Sequence, residues 1–254
     1  IPLLSKSSNF IYIKGSILER HYFYLKNHKK YDKVFCFGNV PPSIRLNCEV
    51  ITYFHQILFL DLILSNGLFD SIIKGIKSKI IKTFRKNTDY WVVQTNYMSQ
   101  KIKKKYNIQF ERIKCIPFYN IQKPDITSKI KKVKNNFVYI SLPHGSYKNH
   151  KILIDAFALS YKSNKSGQLH LTIDESNKKL IQLISNYQNN NVPIINHGVL
   201  DKSEVTNLYL SSEYLIYPSL LESFGLPLIE AIICDCKVLA SNRPYVKEIC
   251  EPSL

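Results

Sequence analysis

Two glutamates, Glu222 and Glu230, lie eight positions apart in the sequence YPSLLESFGLPLIEA. Between them, Pro227 suits a helix start, where its missing N–H loses no partner, and Gly225 leaves nearby backbone N–H groups uncovered. Such a helix start attracts phosphate through its free donors and its dipole. Carboxylates accept hydrogen bonds from sugar hydroxyls, and eight helical residues extend about 12 Å. The spacing fits a site that holds a diphosphate between a sugar and a ribose.

Each of these residues also has a structural explanation. Ser219 followed by Glu222 fits a capping box, and Ser223 suits an N-cap position. Glu230 could lie on a solvated helix face. The glutamate pair alone leaves both interpretations open, so the surrounding elements are needed to decide between them.

Short apolar runs alternate with helical stretches, which is the pattern of a parallel sheet flanked by helices. In the first half, the predicted strands are residues 9–15, 32–38, 49–56 and 89–95. The predicted helices there are residues 16–29, 57–65, 70–87 and 96–106, the last capped by Thr95 or Asn96. In the second half, the predicted strands are residues 137–142, 169–173, 192–196, 214–219 and 237–241. The predicted helices there are residues 150–162, 176–189, 203–211 and 225–234, and a last one begins in RPYVKEI.

Residues 117–136 interrupt this alternation with two prolines, a run of lysines and an Asn-Asn pair, which is typical of a connection between domains. The sequence therefore predicts an α/β protein of two doubly wound, Rossmann-like domains, residues 1–125 and residues 126–254.

The charge of the chain is uneven. Residues 1–125 contain 21 lysines and arginines against 8 acidic residues, a net charge of +13, whereas residues 126–254 contain 14 against 11, a net charge of +3. The first half is thus expected to meet any anionic partner. A lysine-rich composition inherited from an AT-rich genome explains the same charge, and both explanations stay open.

Other sequence features exclude several classes of protein. No apolar run reaches the roughly 18 residues of a membrane-spanning helix, and the first residues do not resemble a secretory leader. The six cysteines form no CxxC pair, so we expect reduced core cysteines in a cytoplasmic protein and no metal site.

Longer stretches carry a family resemblance. The segment YPSLLESFGLPLIEAIICDCKVLAS resembles the E-x7-E segment of retaining, GT-B-fold glycosyltransferases of family 4 (glycosyl transferases group 1). The segments FVYISLPHGSYKNHKILIDAFAL and INHGVLDKSEVTNLYLSSEYLIYPS resemble the family's lysine loop and His-Gly turn. In the first half, YFHQ and TDYWVVQTNYMSQKIKKKY resemble its histidine strand and T-x-x-M helix. The resemblance covers roughly residues 30–250.

The resemblance implies a role for each matching residue. Glu222 would hold the donor sugar, Lys148 would neutralise the leaving diphosphate, and His55 would touch the sugar or the diphosphate; these three are the expected catalytic residues. A fixed ammonium suits this chemistry because cleavage of a glycosyl–phosphate bond leaves charge on the phosphate. The expected donor-binding residues are His144, His197, Gly198, Ser223, Phe224, Gly225, Leu226 and Glu230. Of these, Glu230 would hold the ribose.

The chain departs from the family pattern in two respects. The positions where the family often has an arginine are Pro143 and His144, so His144 is the expected substitute. The family's first strand and glycine-rich loop, and its closing helices, are expected to lie outside residues 1–254.

The resemblance implies a retaining, metal-independent hexosyltransferase with no cofactor, whose donor substrate is a nucleotide-diphosphate sugar. The acceptor would be a saccharide or a lipid-linked molecule bound by the domain of residues 1–125, and the nucleotide sugar would bind mainly to the domain of residues 126–254. A non-catalytic GT-B-like subunit, or a pseudoenzyme that binds nucleotide sugar, is the alternative. A nucleic-acid binder would explain the charge, but no nucleic-acid-binding motif is present, so no nucleic-acid partner is expected.

The spacing of apolar residues predicts a basic amphipathic helix at residues 70–87. Its apolar stripe is formed by Ile72, Ile73, Ile76, Ile80, Ile81 and Phe84. The preferred interpretation packs this stripe into the core and leaves the lysines in solvent. The alternative is a helix that lies on an anionic membrane, which would make the protein peripheral on the inner face of the membrane.

Overall fold

The structure, a computed structural model, describes residues 13, 15–61, 68–117, 119 and 130–250. Within these ranges the chain forms two parallel β-sheets. The predicted strand at residues 9–15 falls mostly outside the described residues. The predicted domain boundary between residues 125 and 126 also falls outside them and stays a prediction.

The first sheet has four parallel strands in the order β1-β2-β3-β4. Its strands are β1 (Lys33–Cys36), β2 (Glu49–Tyr53), β3 (Tyr90–Val93) and β4 (Ile113–Cys115). Its helices are α1 (Ile17–Asn27), α2 (Leu68–Phe84) and α3 (Asn96–Tyr106). Two predictions were wrong here. The predicted helix 57–65 is only a short 3-10 turn at Ile57–Phe59 within the described residues, and β4 was not predicted.

The second sheet has five parallel strands in the order β7-β6-β5-β8-β9. Its strands are β5 (Val133–Tyr139), β6 (Gln168–Leu171), β7 (Ile194–Asn196), β8 (Ser212–Tyr217) and β9 (Lys237–Ala240). Its helices are α4 (His150–Asn164), α5 (Lys178–Gln188), α6 (Lys202–Ser211), α7 (Leu226–Ile233) and α8 (Pro244–Cys250). All of these elements were predicted, with ends that differ by a few residues. The α/β architecture is therefore confirmed.

Each sheet has its own apolar core. The core of the second sheet includes the buried side chains of Val138, Leu169 and Leu215, from three neighbouring strands. The buried apolar residues of the first sheet form two clusters, a small one of Cys36, Leu46 and Val50 and a larger one, which we call the first core. The residues of the first core are Phe54, Ile57, Phe59, Leu60, Ile81, Trp91, Val93, Met98, Ile102, Tyr106, Ile108 and Ile113, together with Leu221 from the second half of the chain.

The two halves meet at the start of α3. Thr95, which follows β3 and caps α3, donates from its hydroxyl to the carbonyl oxygen of Ser223 at 3.1 Å. The Glu248 carboxylate of α8 accepts hydrogen bonds from the backbone N–H groups of Asn96 (2.5 Å) and Tyr97 (2.9 Å). Since α3 begins where β3 ends, the loops at the C-terminal edge of the first sheet contact the second half. Ligands of open parallel sheets bind at such edges.

The outer face of α2 differs from the preferred prediction. Ile81 is buried, as expected of a core position, but Ile72 and Ile76 are 58% and 55% exposed, and Ile73 is exposed too. Packing of the whole stripe into the core was therefore wrong, because only its C-terminal part faces the sheet. Within the described ranges, no helix is both long and apolar enough to cross a bilayer.

Candidate active site

Four loops follow the C-terminal ends of β5, β6, β7 and β8. Because these strands are parallel, the loops lie at one edge of the second sheet. The loop after β5 carries His144 and Lys148, the loop after β7 carries His197, and the loop after β8 carries Glu222. The topology thus brings residues that are distant in sequence to one side of the molecule.

Lys148 and Glu222 form an ion pair at this edge. The Lys148 Nζ atom lies 2.5 Å from Glu222 Oε1, and each side chain is only 15% exposed. The Tyr217 hydroxyl, at the end of β8, donates to the same carboxylate oxygen at 3.0 Å. Burial, reinforced by the charge of Glu222, raises the pKa of Tyr217 well above its ordinary value, so the hydroxyl keeps its proton as a donor.

Sequence reasoning missed Tyr139, Tyr217 and His150, which surround the Lys148–Glu222 pair. The Tyr139 hydroxyl donates to the Lys148 carbonyl oxygen at 2.8 Å. His150, buried beside Tyr139, donates from Nε2 to the Ser141 carbonyl oxygen at 3.0 Å, and burial lowers its pKa to about 4. Tyr139 and Tyr217 are each the last residue of a strand. This position could have identified them as site residues, because ligands of parallel sheets bind at the C-terminal ends of the strands.

The turn that carries Lys148 depends on Gly145. Its φ of +106° is in a region that side chains rarely adopt, and an added Cβ would lie 2.2 Å from the Tyr147 ring. Asn149 then fixes the turn to the loop after β8, because its Nδ2 atom donates to the Pro218 carbonyl oxygen at 3.0 Å. The two loops that carry the ion pair are thus bonded to each other.

Helix α7 begins at Leu226, one residue after the predicted start, and Gly225 is its N-cap, without a side-chain cap. Neither Ser219 nor Ser223 takes the capping role considered above. Phe224 is buried, and its ring lies 5.1 Å from the ring of Tyr119, centroid to centroid. The uncapped start of α7 is therefore four residues beyond Glu222.

Glu230 lies inside α7 and does not contact the Lys148–Glu222 pair. It accepts a hydrogen bond from the Tyr209 hydroxyl of α6 at 3.3 Å. Burial raises the pKa of Glu230, although Tyr209 and Lys202 oppose this shift. Lys148 and Glu222 are therefore in contact, whereas Glu230, the residue expected to hold the ribose, lies apart from them on α7.

A cavity of about 630 Å³ lies along the same edge, lined by residues that include Leu142, Pro143, His144, Asp174 and Val199. Beside it, His197 makes a ring contact that was not predicted: its Nε2 atom lies 2.9 Å from Nδ1 of His170, on β6. Burial lowers the pKa of His197, and burial together with His197 lowers that of His170 to about 4. Gly198 follows with a φ of +69°.

His55 follows β2, at the C-terminal edge of the first sheet. Its ring stands beside Phe37 and Tyr53, with centroids 5.6 and 5.3 Å away, and its Nε2 atom lies 3.4 Å from the Asn39 amide nitrogen. Burial lowers the pKa of His55, which favours the neutral ring. No hydrogen bond of the described residues joins His55 to Lys148 or Glu222, so its predicted role stays a prediction.

Two Rossmann-like halves that meet through their C-terminal loops define the GT-B class of glycosyltransferase folds. Residues 122–253 match the family described as glycosyl transferases group 1, and this match covers more than half of the chain. The chain belongs to this family.

Similar proteins support the same fold. The O-antigen chain mannosyltransferase RfbU of Salmonella typhimurium is 26% identical over 187 residues, which are 71% of this chain and 50% of RfbU. A crystal structure of S. aureus TarM with Fondaparinux, alpha-GlcNAc-glycerol and UDP has a TM-score of 0.68 at 16% identity, covering 90% of this chain and 45% of TarM. Anabaena Alr3699/HepE, solved with UDP and glucose, has a TM-score of 0.62 at 13% identity, covering 89% of this chain and 63% of that protein. The chain thus spans about half of the curated relative, and the GT-B prediction is confirmed.

Proposed function

We propose that this protein transfers a hexose from a nucleotide-diphosphate sugar to a saccharide or lipid-linked acceptor, with retention of configuration and without a metal ion. The observation that carries the proposal is the Lys148–Glu222 pair. A cation and a carboxylate in contact, at the ligand-binding edge of a parallel sheet, match a leaving phosphate and the sugar attached to it.

The donor would lie along the edge of the second sheet. Its base would occupy the cavity beside His144 and Val199, and its ribose hydroxyls would meet Glu230. The diphosphate would reach the uncapped start of α7 and the Lys148 ammonium, and the sugar hydroxyls would bind Glu222. Donor binding would separate Lys148 from Glu222, because Lys148 would then bind the phosphate and Glu222 would accept hydrogen bonds from the sugar hydroxyls.

The chemical contribution of Lys148 is electrostatic. Charge develops on the diphosphate as the glycosyl–phosphate bond breaks, and a fixed ammonium in a partly desolvated site stabilises that charge without reorganisation. Removal of one such donor typically lowers kcat by about 10²–10³-fold. The neutral His55 ring would face the sugar from the first sheet when the two halves hold the donor between them.

The relatives suggest the acceptor class. RfbU is named as an O-antigen chain mannosyltransferase, and the S. aureus TarM crystal contains alpha-GlcNAc-glycerol and UDP. We therefore place this protein in polysaccharide or lipopolysaccharide biosynthesis in the cytoplasm, with a saccharide acceptor as the first class to test.

The direct test is a screen of UDP-, GDP- and ADP-sugars by thermal shift and calorimetry. Lys148→Ala is expected to weaken donor binding at least tenfold. Lys151→Ala is the matched control, because Lys151 lies three residues further on and pairs with Asp155 at the surface. Equal donor binding by both variants would overturn the proposed site.

Activity assays test retention of configuration and independence of metal ions. Retention predicts that NMR shows the donor's anomeric configuration in the product, and metal independence predicts unchanged rates in excess EDTA. Donor binding by the intact protein without transfer to any saccharide acceptor would favour the non-catalytic alternative.

We also propose that α2 rests on an anionic membrane. Its exposed Ile72, Ile73 and Ile76 stand beside the exposed Lys77 and Lys79, in the half of the chain with a net charge of +13. Apolar side chains framed by lysines suit the boundary between headgroups and acyl chains. Because α2 follows β2, its N-terminal end lies towards the edge where the acceptor would bind.

Vesicle sedimentation tests this surface. Ile72→Asn/Ile76→Asn should reduce binding to vesicles rich in phosphatidylglycerol at least fivefold, and neutral phosphatidylcholine vesicles should bind the parent protein weakly. Ile152→Asn is the control, because Ile152 is 61% exposed but belongs to α4 in the second half. Equal losses for both variants would refute a specific role of α2.

A further inference from the structure

The loop at residues 218–225 is bonded to the turn that carries Lys148. The backbone N–H of Leu220 donates to the Tyr147 carbonyl oxygen at 2.8 Å, and the Pro218 carbonyl oxygen accepts from Asn149 at 3.0 Å. On its other side, the Ser219 carbonyl oxygen accepts hydroxyl bonds from Ser241 (2.5 Å) and Tyr245 (2.7 Å). The start of the loop is thus built into the second half.

The middle of the loop packs against the first half. Leu221 is only 3% exposed and lies in the first core, with residues such as Phe54, Trp91 and Met98. Two residues later, the Ser223 carbonyl oxygen accepts the Thr95 hydroxyl at 3.1 Å. Tyr147 packs against the same core. The loop therefore crosses from one half to the other and returns.

Glu222 lies between these two anchors. Adjacent Cα atoms are held 3.8 Å apart, so Leu221 cannot leave the first core without moving the backbone of Glu222. The Thr95 bond restrains the residue on the other side of Glu222. The position of the carboxylate against Lys148 is therefore set by contacts that belong to the first half.

We propose that Leu221 is a positioning residue that links docking of the two halves to the assembly of the Lys148–Glu222 site. When the halves are docked, Leu221 fills the first core and Glu222 meets Lys148. When they separate, Leu221 is withdrawn and Glu222 loses its fixed place. Linkage is reciprocal, so a ligand that needs the assembled site also favours docking of the halves.

The first test needs no ligand. Lys148→Met and Glu222→Gln are combined in a double-mutant cycle, with the unfolding equilibrium constant as the readout, in the parent protein and in Leu221→Ala. The coupling factor is expected to be at least tenfold in the parent and below threefold in Leu221→Ala. A purely structural role of Leu221 would lower stability but leave the coupling factor unchanged, and that result would overturn the proposal.

Leu220→Ala is the matched control, because Leu220 is the neighbouring leucine, lies outside both apolar cores and bonds only through its backbone. It should keep the parent coupling factor. If Leu221→Ala does not fold, Leu221→Val removes one methylene group instead, and a smaller drop in the same factor is then expected. No drop in either variant would refute the proposal.

The second test rests on the proposed function, since it assumes that Lys148 and Glu222 contact the donor. UDP and GDP, each with and without a sugar, are titrated against the intact protein. Sugar-nucleotide affinity should fall at least tenfold in Leu221→Ala and less than threefold in Leu220→Ala. Failure of the parent protein to bind any of these probes would contradict the proposed function but not the coupling result, whereas equal affinities in both variants would contradict the role of Leu221.

Discussion

Replacement of Lys148 by methionine should destabilise the fold as well as weaken donor binding. Loss of one partner from a buried ion pair costs about 3–5 kcal/mol, because the other charge stays buried without compensation. Each side chain of this pair is 15% exposed, and Glu222 keeps the Tyr217 hydroxyl as a donor. We therefore expect a loss of about 2–4 kcal/mol, by that buried-pair range reduced for partial exposure.

Glu222→Gln should cost a comparable amount, because it leaves an ammonium beside a neutral amide. The double variant removes both charges, so its cost should fall short of the sum by about 2 kcal/mol, within the range measured for residues in contact. Domains of this kind have about 5–15 kcal/mol of stability, so each single variant should still fold at 25 °C. Urea denaturation followed by far-UV circular dichroism measures all four free energies.

The pair of Lys151 and Asp155 supplies the reference cycle. Its partners are also 2.5 Å apart, but the lysine side chain is 72% exposed, so the coupling should be much weaker than that between Lys148 and Glu222. Additive losses at Lys148 and Glu222, within about 0.5 kcal/mol, would show that burial does not strengthen the pair and would refute this reasoning.

Three further predictions follow from burial and from the contact between the halves. Glu230→Gln should raise the free energy of unfolding at pH 7 but not at pH 4. Burial raises the pKa of Glu230, so its ionised form opposes folding above the ordinary carboxyl pKa. Equal effects at both pH values, measured by urea denaturation, would contradict this prediction. The protein should lose stability as the pH falls from 6.5 to 4, because His150 and His170 have a pKa of about 4 in the fold and are protonated earlier in the unfolded chain. His170→Gln should make stability depend less steeply on pH in this range. An unchanged slope would contradict the prediction. Glu248→Ala should speed hydrogen exchange in the first turn of α3, because it removes the acceptor of the Asn96 and Tyr97 N–H groups. The expected cost is about 0.5–2 kcal/mol, as for loss of a capping acceptor, and unchanged exchange at Asn96 and Tyr97 would contradict the prediction.

Much of the fold could be predicted because each element has a local signal. Parallel strands buried on both faces appear as continuous apolar runs, as in FVYISL and LHLTI, and capping residues such as Thr95 mark helix starts. β4 gave no such signal, because Ile113–Cys115 is three residues long and only Ile113 is buried. The exposed face of α2 could not be predicted either, since periodicity shows that a stripe exists but not which part of it meets the sheet.

The charged residues of the candidate site could be predicted from the sequence, but the contacts between them could not. Glu222, Glu230 and Lys148 were found from spacing and resemblance, but the contact between Lys148 and Glu222 joins residues 74 positions apart and depends on the sheet order. His170 sits within an apolar strand run, so its pairing with His197 required the alignment of β6 with β7. Long-range contacts of this kind are set by topology rather than by any local pattern.

Folding alone explains three residues in or next to the segment between the two glutamates. Gly225 has a φ of +92°, and an added Cβ would lie 3.1 Å from Leu228, so its place is fixed by backbone geometry and packing. Phe224 is buried against Tyr119, and Leu221 is buried in the first core. Glu230, in contrast, is a buried carboxyl whose raised pKa makes its ionised form oppose folding, which is a common property of residues kept for function. The segment thus combines residues that the fold requires with one acid, Glu230, that the fold alone does not require.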